Sequence, residues 1–289
     1  MSKILIVTDS ASDIPLVEQR LYDIKVLPFK ITMGEKTYLT GIDFTNEEFY
    51  QMLQEYNGVP TTSQITTYEF QNFYEDKMNE GYTDIIMVLI NGEGSATFTN
   101  AIYAKRLFLQ EYQNANIRIH IYDSRSYSGG YGSMVIEAAK MNQNGESASD
   151  ICAYLEDKIS KSMIYFGMYS LKYAAKSGRI PSAAAFVGEA LGLKPLMKIW
   201  DHKITTHKKI RGEKLLIPSL VEETLKDMEP NTPYVVLYGN DFEVAQKTIE
   251  LMVAKVGYPP VRLMQIGAAI TINSGPRAVG IAFEAQRSA

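Results

Sequence analysis

The sequence has very few of the side chains that build disulfides and metal sites, with one cysteine and three histidines in 289 residues. The single Cys152 excludes an internal disulfide, and its place in a helical pattern indicates a small buried side chain. His120, His202 and His207 lack the spacing of metal ligands. We therefore expect no zinc site, and a Ser-His-Asp triad would have to use one of three unpromising imidazoles.

Long apolar runs and an excess of positive charge are also missing. No stretch approaches the roughly 20 apolar residues that cross a bilayer, and residues 1–4 lead straight into a strand pattern where a signal peptide needs a longer apolar segment. The net charge is −4 and the pI is about 5.6, so there is no general basic field that attracts nucleic acid. The sequence predicts a cytoplasmic protein with no integral membrane segment and no nucleic-acid partner.

The first half of the chain repeats one local pattern. Apolar strand patterns at residues 4–7, 85–90 and 117–122 each end in short polar side chains that precede a helical pattern. This alternation is typical of a parallel sheet with helices on both faces. The length and the 46% hydrophobic content allow a large core and favour two domains.

The pattern changes beyond Ser160, where a hairpin is predicted about Asp201-His202-Lys203. The other elements predicted there are helices at 182–191, 212–228 and 242–256 and strands at 164–169, 234–238, 261–268 and near Ile281. We predict an α/β protein of two domains. Residues 1–159 form an N-terminal α/β domain with a parallel sheet, and residues 160–289 form a C-terminal α+β domain with a mixed sheet.

The strongest candidate for a ligand site is the turn after the apolar residues 85–90. Asn91-Gly92-Glu93-Gly94 predicts a tight turn, and Ser95 is the predicted N-cap of the next helix. Ligands of open α/β sheets bind beyond the carboxyl ends of the strands, where helix N-termini attract anions. The hydroxyls of Ser95 and Thr97 suit a small anionic group there, and ordinary helix capping explains Ser95 as well.

Two enzyme motifs do not match the residues of this turn. The G-x-S-x-G motif fails because Gly94 directly precedes Ser95. The G-x-G-x-x-G motif fails because Thr97 stands in place of its last glycine. Neither a hydrolase nor a dinucleotide site is indicated.

Polar side chains occur in two other predicted turns. Residues 60–64 form a predicted loop whose Thr62 and Ser63 either cap the next helix or converge on the Ser95 turn. Asp9 and Asp13 follow the first strand, where capping and turn formation are the simpler explanation.

Two arginines and a run of small residues complete the candidates. Arg179 follows a glycine in a short loop, and Arg211 precedes Gly212 at a predicted helix start. A guanidinium at a domain cleft suits an anionic head group or the acidic surface of a partner. The alanine-rich residues 183–188 leave volume for a long hydrocarbon, and close helix packing explains them equally well.

Taken in order, several short motifs resemble one known family over nearly the whole chain. They are Val7-Thr8-Asp9-Ser10 with Asp13, Pro60 with Thr62-Ser63-Gln64, Ser95-Ala96-Thr97, Asp123-Ser124, Ser177-Gly178-Arg179-Ile180, Lys194-Pro195, Arg211-Gly212 and Gly275-Pro276. Each motif is short, and the ordered set is specific. The sequence resembles the DegV family of bacterial fatty-acid-binding proteins.

The resemblance implies a two-domain carrier that encloses one long-chain fatty acid and needs no other cofactor. It places the carboxylate near Thr62 and Ser95, with Ser63 and Thr97 beside them, and it places Arg179 near the head group. In carriers of this family, a separate fatty acid kinase related to dihydroxyacetone kinases phosphorylates the bound carboxylate. The resemblance assigns Arg211 to docking of that kinase.

The sequence departs from the family pattern at three motifs. Ser95-Ala96-Thr97 replaces S-G-T and Ser177-Gly178 replaces G-G, and both changes keep the polar groups. In the H-x-G-P-G motif, Asn273 replaces the histidine that approaches the head group. Asparagine can still hydrogen-bond a carboxylate, but it cannot carry a proton.

Two other functions stay open from the sequence. The polar groups at several strand ends are also compatible with an α/β enzyme that acts on a small anionic substrate. A regulatory protein whose lipid occupancy controls a partner is the second alternative. Bound lipid in the purified protein separates the carrier from the enzyme, and partner capture with and without lipid separates it from the regulator.

Overall fold

The computed structural model describes residues 2–180 and 192–286. The predicted helix at 182–191, with its alanine run, lies outside the described residues. The strands in chain order are β1 Ile4–Asp9, β2 Ile24–Leu27, β3 Lys30–Met33, β4 Lys36–Leu39, β5 Thr61–Ser63, β6 Asp84–Leu89, β7 Arg118–Asp123, β8 Ser162–Met168, β9 Leu193–Trp200, β10 Lys203–Arg211, β11 Tyr234–Tyr238, β12 Arg262–Gln265 and β13 Ala278–Glu284. The α-helices are α1 Leu16–Leu21, α2 Asn46–Glu55, α3 Thr67–Asn79, α4 Thr97–Glu111, α5 Gly129–Gln143, α6 Ala148–Lys161, α7 Lys172–Ser177, α8 Leu216–Asp227, α9 Phe242–Val256 and α10 Ala268–Ser274.

A four-stranded parallel sheet in the order β2-β1-β6-β7 organises the first half. Every residue of β6 is buried, because successive side chains alternate between two covered faces. Ile86 and Val88 pack with Val135 of α5 and Leu155 of α6. The alternate residues of β6 pack on the opposite face against α3 and α4.

The second half contains a six-stranded mixed sheet in the order β10-β9-β8-β13-β11-β12. Its neighbours are antiparallel except β11 and β12, which are parallel. Helices α8 and α9 cover one face, where Leu220 and Met252 pack on Val236 and Ile281. The mixed α/β class, with a parallel sheet followed by a mixed one, is confirmed.

Helix α5 packs against both large sheets and joins their cores. Its side chains share one hydrophobic cluster with Ile86 of the parallel sheet and with Ile164 and Val235 of the mixed sheet. The division of the chain into residues 1–159 and 160–289 stays a prediction.

A third, antiparallel sheet in the order β4-β3-β5 contains a segment that we expected to be a loop. Residues 61–63 pair with β3, and Thr62 lies opposite Ile31. Thr61 and Thr62 are β-branched and suit a strand, but this short polar segment lacks the alternation of apolar and polar residues that would predict one. The hydrogen-bonding edge of β3, which is distant in sequence, decides their conformation.

Two other elements differ from the sequence predictions. The strand predicted at 261–268 covers only the four residues of β12. Residues 268–274 form helix α10, and a short apolar run in the sequence does not distinguish a strand from a helix. The helix predicted from residue 212 begins at Leu216, after a 3-10 turn at Glu213–Leu215. Across the described ranges, we find no helix with the length and apolar character needed to cross a bilayer.

Candidate functional site

A cavity of about 860 Å³ lies between the carboxyl-end turns of the parallel sheet, the mixed sheet and α10. Most of its wall is apolar. The apolar residues that line it include Phe29, Ile90, Ile164, Phe166, Ile199, Ile204, Leu237, Ile266, Ala269 and Ile270. A volume in the range of roughly 300–1,000 Å³ is usual for pockets that hold small organic ligands.

One part of this cavity is polar and is formed by the turn that follows β6. The carbonyl oxygen of Asn91 accepts hydrogen bonds from the N–H groups of Gly94 (3.0 Å) and Ser95 (3.2 Å). The carboxylate of Asp123 accepts the N–H of Gly92 at 3.0 Å. A Cβ at Gly92 would lie 2.5 Å from Asp123 Oδ2, so only glycine permits this close approach.

The predicted N-cap at Ser95 is wrong, since α4 begins at Thr97 and its N-cap is Ala96. Ser95 Oγ instead lies 2.9 Å from Thr97 Oγ1 and accepts the N–H of Thr97 at 3.3 Å. Thr97 is fully buried, whereas Ser95 is half-buried and lines the cavity. The tight turn therefore leaves the Ser95 hydroxyl at the cavity wall and places Thr97 beside it.

The structure brings four of the predicted residues to one cavity. Thr62 from β5, Ser95, Arg179 and Asn273 from α10 all line it. Asn273 Nδ2 donates to the carbonyl oxygen of Ala269, one turn earlier, at 3.0 Å. Their positions in sequence are far apart, and the sheet ends and α10 bring them together.

Three predicted residues do not line this cavity, and one of them is the buried Thr97 described above. Ser63 follows Thr62 on β5 and is exposed, because successive side chains of a strand point to opposite sides. Arg211 is the last residue of β10, not the start of a helix, and is also exposed.

One histidine lines the cavity although its place in the sequence gave no reason to expect it there. His202 lies in the β9–β10 turn and lines the wall together with Tyr127. Its Nδ1 lies 3.1 Å from Asn91 Oδ1 and 3.5 Å from Asp123 Oδ2. No local signal marks it, because its contacts come from strand ends about 80 to 110 residues earlier.

The first strand ends in a buried carboxyl pair close to this region. Asp9 accepts hydrogen bonds from Ile90 N–H (2.7 Å), Ala11 N–H (3.0 Å) and the Tyr131 hydroxyl (2.6 Å). Burial raises the pKa of Asp9 to about 6, although these donors oppose the rise. Burial likewise raises the pKa of Asp13, which accepts from Ser128 Oγ, to about 7.

The capping interpretation of Asp9 agrees with its geometry. Asp9 is the N-cap of a short 3-10 turn, Ser10–Ser12, and Asp13 ends that turn in the left-handed conformation. Neither carboxyl group lines the large cavity. In residues 2–180 and 192–286, no three His, Cys, Asp or Glu side chains form a group that could hold a metal ion.

Comparisons with known proteins agree over the whole chain. The family model described as "Uncharacterised protein, DegV family" matches residues 3–286. A DegV domain-containing protein of Caldanaerobacter subterraneus subsp. tengcongensis is 30% identical over 291 residues, which is 98% of this chain and 99% of the relative.

Solved structures of similar proteins have the same fold. DegV of Bacillus subtilis, a fatty acid binding protein, is 28% identical with a TM-score of 0.81 and coverage of 99% of this chain and 100% of that one. A DegV family protein from Thermus thermophilus, described for its fatty acid binding, is 25% identical with a TM-score of 0.84 and coverage of 98% and 99%. Sequence and fold together show that this chain belongs to the DegV family.

Proposed function

We propose that this protein binds one long-chain fatty acid in the large cavity, with the carboxylate at the Ser95 turn. The observation that carries the proposal is an apolar cavity of about 860 Å³ whose polar residues include hydroxyl, amide and guanidinium groups. Relatives that bind fatty acids share the fold over nearly the whole chain. An apolar wall with a few polar groups suits an amphipathic ligand better than a wholly polar one.

The polar groups have distinct parts in this proposal. The hydroxyls of Thr62 and Ser95 donate hydrogen bonds to the carboxylate, and the amide of Asn273 adds a further donor. Arg179 supplies positive charge. Thr97 holds the Ser95 hydroxyl through the contact between their Oγ atoms at 2.9 Å.

Apolar burial supplies most of the binding energy. Each methylene removed from water contributes about 0.8 kcal/mol, so a chain of about 15 methylenes contributes roughly 12 kcal/mol before the cost of immobilisation. The head-group contacts contribute less, because each replaces a hydrogen bond to water. They fix which end of the ligand faces the Ser95 turn.

Native mass spectrometry of gently purified protein tests this function. We expect an added mass that matches one fatty acid, and we expect delipidated protein to bind one equivalent of oleate. Oleyl alcohol should bind more weakly because it lacks the charge that the polar end recognises. The proposal is contradicted if the purified protein carries no lipid and binds neither oleate nor palmitate.

We further propose that the bound carboxylate is presented to a separate fatty acid kinase of the dihydroxyacetone kinase type, which forms the acyl phosphate. The chain then acts as a carrier, and the catalytic groups belong to the partner. The exposure of Arg179 and Glu93 at the cavity wall supports this proposal, because a partner can reach the polar end from outside. Arg211 offers an exposed guanidinium for docking.

Replacing Arg211 by alanine is expected to lower acyl phosphate formation roughly tenfold at limiting carrier concentration, because an interfacial ion pair is lost. Oleate affinity should not change, since Arg211 does not line the cavity. The measurement is the rate with the cognate kinase as a function of carrier concentration. Arg20→Ala, which removes an exposed arginine from α1, is the matched control. Equal rates for both variants would show that Arg211 does not dock the kinase.

A further inference from the structure

His202 lies at the same end of the cavity as Ser95, because both are bound to Asn91. The main-chain carbonyl of Asn91 accepts the Ser95 N–H at 3.2 Å. Its side-chain Oδ1 lies 3.1 Å from His202 Nδ1, and its Nδ2 donates to the His202 carbonyl oxygen at 2.7 Å. The fully buried Asn91 therefore fixes the histidine relative to the hydroxyl turn.

The contacts of His202 determine which of its ring nitrogens can contact a ligand in the cavity. Nδ1 faces two oxygen acceptors, Asn91 Oδ1 and Asp123 Oδ2, so it carries a hydrogen. Because Nδ1 is engaged by these acceptors, we infer that Nε2 is the ring nitrogen left to contact a ligand in the cavity that His202 lines. In the neutral ring this nitrogen has a lone pair, and it can donate to a carboxylate only after it takes up a proton.

The charges around His202 favour that proton when an anion is bound. Asp123 Oδ2 lies 3.5 Å from Nδ1, and a carboxylate ligand at Nε2 would add a second negative charge. Two cationic side chains at the cavity wall, Lys203 and Arg179, oppose this effect, and Glu93 reinforces it. The remaining neighbours are Asp201, whose charge is paired with Arg125 at 3.0 Å, and the Tyr127 hydroxyl, which accepts from Asn91 Nδ2.

We propose that His202 is a proton-carrying contact of the fatty-acid carboxylate, so that binding of the anion is coupled to uptake of one proton by this imidazole. The inference rests on the proposed function and adds a titratable group to it. The only bond change is a proton transfer: a solvent donor loses the proton, Nε2 gains it as an N–H, and this N–H points at a carboxylate oxygen. Among the described residues that line the cavity, His202 is the only imidazole, and Asn273 cannot carry a proton.

Isothermal titration of delipidated protein with oleate, in buffers of different ionisation enthalpy at pH 7, measures the protons taken up. We expect the native protein to take up a measurable fraction of one proton per oleate and to take up none with oleyl alcohol. His202→Asn should bind oleate about tenfold more weakly at pH 6.5, the loss expected for one hydrogen bond to a charged group. The deficit should shrink at pH 8.5, where an imidazole is normally neutral. We choose asparagine for this substitution because residue 202 has a left-handed φ of 68°, which asparagine adopts readily.

His207→Asn is the matched control, because His207 lies on β10, bonds Glu223 and does not line the cavity. It should match the native protein in affinity and proton uptake. The imidazole resonances of the native protein provide a test that needs no substitution at the site, since the chain has only three histidines. Oleate should shift the titration midpoint of one of them upward.

The outcomes separate this inference from the proposed function. If oleate binds without proton uptake and His202→Asn matches His207→Asn, the inference is wrong and the carrier function stands. If the native protein binds no oleate, the carrier function itself fails. A titration midpoint that oleate leaves unchanged for all three histidines would also overturn the role of His202.

Discussion

Replacing Ala269 by tryptophan is expected to weaken oleate binding roughly 100-fold or more. Ala269 lies on α10, is buried and lines the large cavity, so an indole there occupies space that the acyl chain needs. Displacing about four methylenes from the wall costs about 3 kcal/mol, which corresponds to that factor. The measurement is the oleate dissociation constant of delipidated protein.

The neighbouring residue offers a matched control for this change. Ala268 is also buried on α10, but it lines a separate cavity of about 390 Å³. Ala268→Trp imposes a similar packing change on the helix without filling the large cavity, so it should bind oleate as the native protein does. If tryptophan at 269 prevents folding, Ala269→Leu should still produce a smaller loss. Unchanged affinity in a folded Ala269 variant would contradict the placement of the acyl chain.

Replacing Asp9 by alanine is expected to cost about 3–6 kcal/mol of the free energy of unfolding. The fully buried Asp9 accepts hydrogen bonds from two main-chain N–H groups and one hydroxyl, and alanine leaves all three without an acceptor. Each buried donor without a partner costs about 1–3 kcal/mol. The loss is a large part of the 5–15 kcal/mol that usually stabilises a protein, and urea denaturation measures it.

Asp9→Asn should cost less, and its effect should depend on pH. Asparagine keeps one oxygen for Ala11 and Tyr131 but faces Ile90 N–H with its own N–H₂. The pKa of Asp9 is raised by burial to about 6, so the folded state favours the protonated carboxyl group. That contribution is fully present below about pH 4 and is lost as the pH rises through 6. The native protein's advantage over Asp9→Asn should therefore shrink between pH 4 and 7, on the order of 1–3 kcal/mol. A pH-independent difference would show that Asp9 is ionised throughout.

The Asp9 variants and the Ala269 variants probe different properties of the same region. The Asp9 carboxyl group accepts hydrogen bonds from Ile90, just after β6, and from Tyr131 on α5. It therefore connects the end of β1 to both elements, and it does not line the large cavity. Ala269 of α10 forms part of the wall of that cavity. Stability and ligand binding should therefore respond separately, provided that each variant remains folded.

Local patterns in the sequence were sufficient for the parallel sheet and for several helix boundaries. The capping box of Thr45 and Glu48 begins α2, and helix Phe242–Val256 has the bounds that the sequence predicts. These signals arise from neighbours three or four residues apart, or from the burial of a whole strand on both faces. The family motifs likewise could be read in order along the chain.

The tertiary structure alone decided which of those residues share a cavity. Thr62 is on a strand because β3 pairs with it, and residues 268–274 form a helix where their apolar run also fits a strand. His202 reaches the Ser95 turn only because the β9–β10 hairpin meets Asn91, 111 residues away. Such contacts depend on the packing of distant elements rather than on the preference of a local segment, so the amino-acid sequence determined the fold class and the family, and the folded chain determined the shape of the cavity and the groups at its polar end.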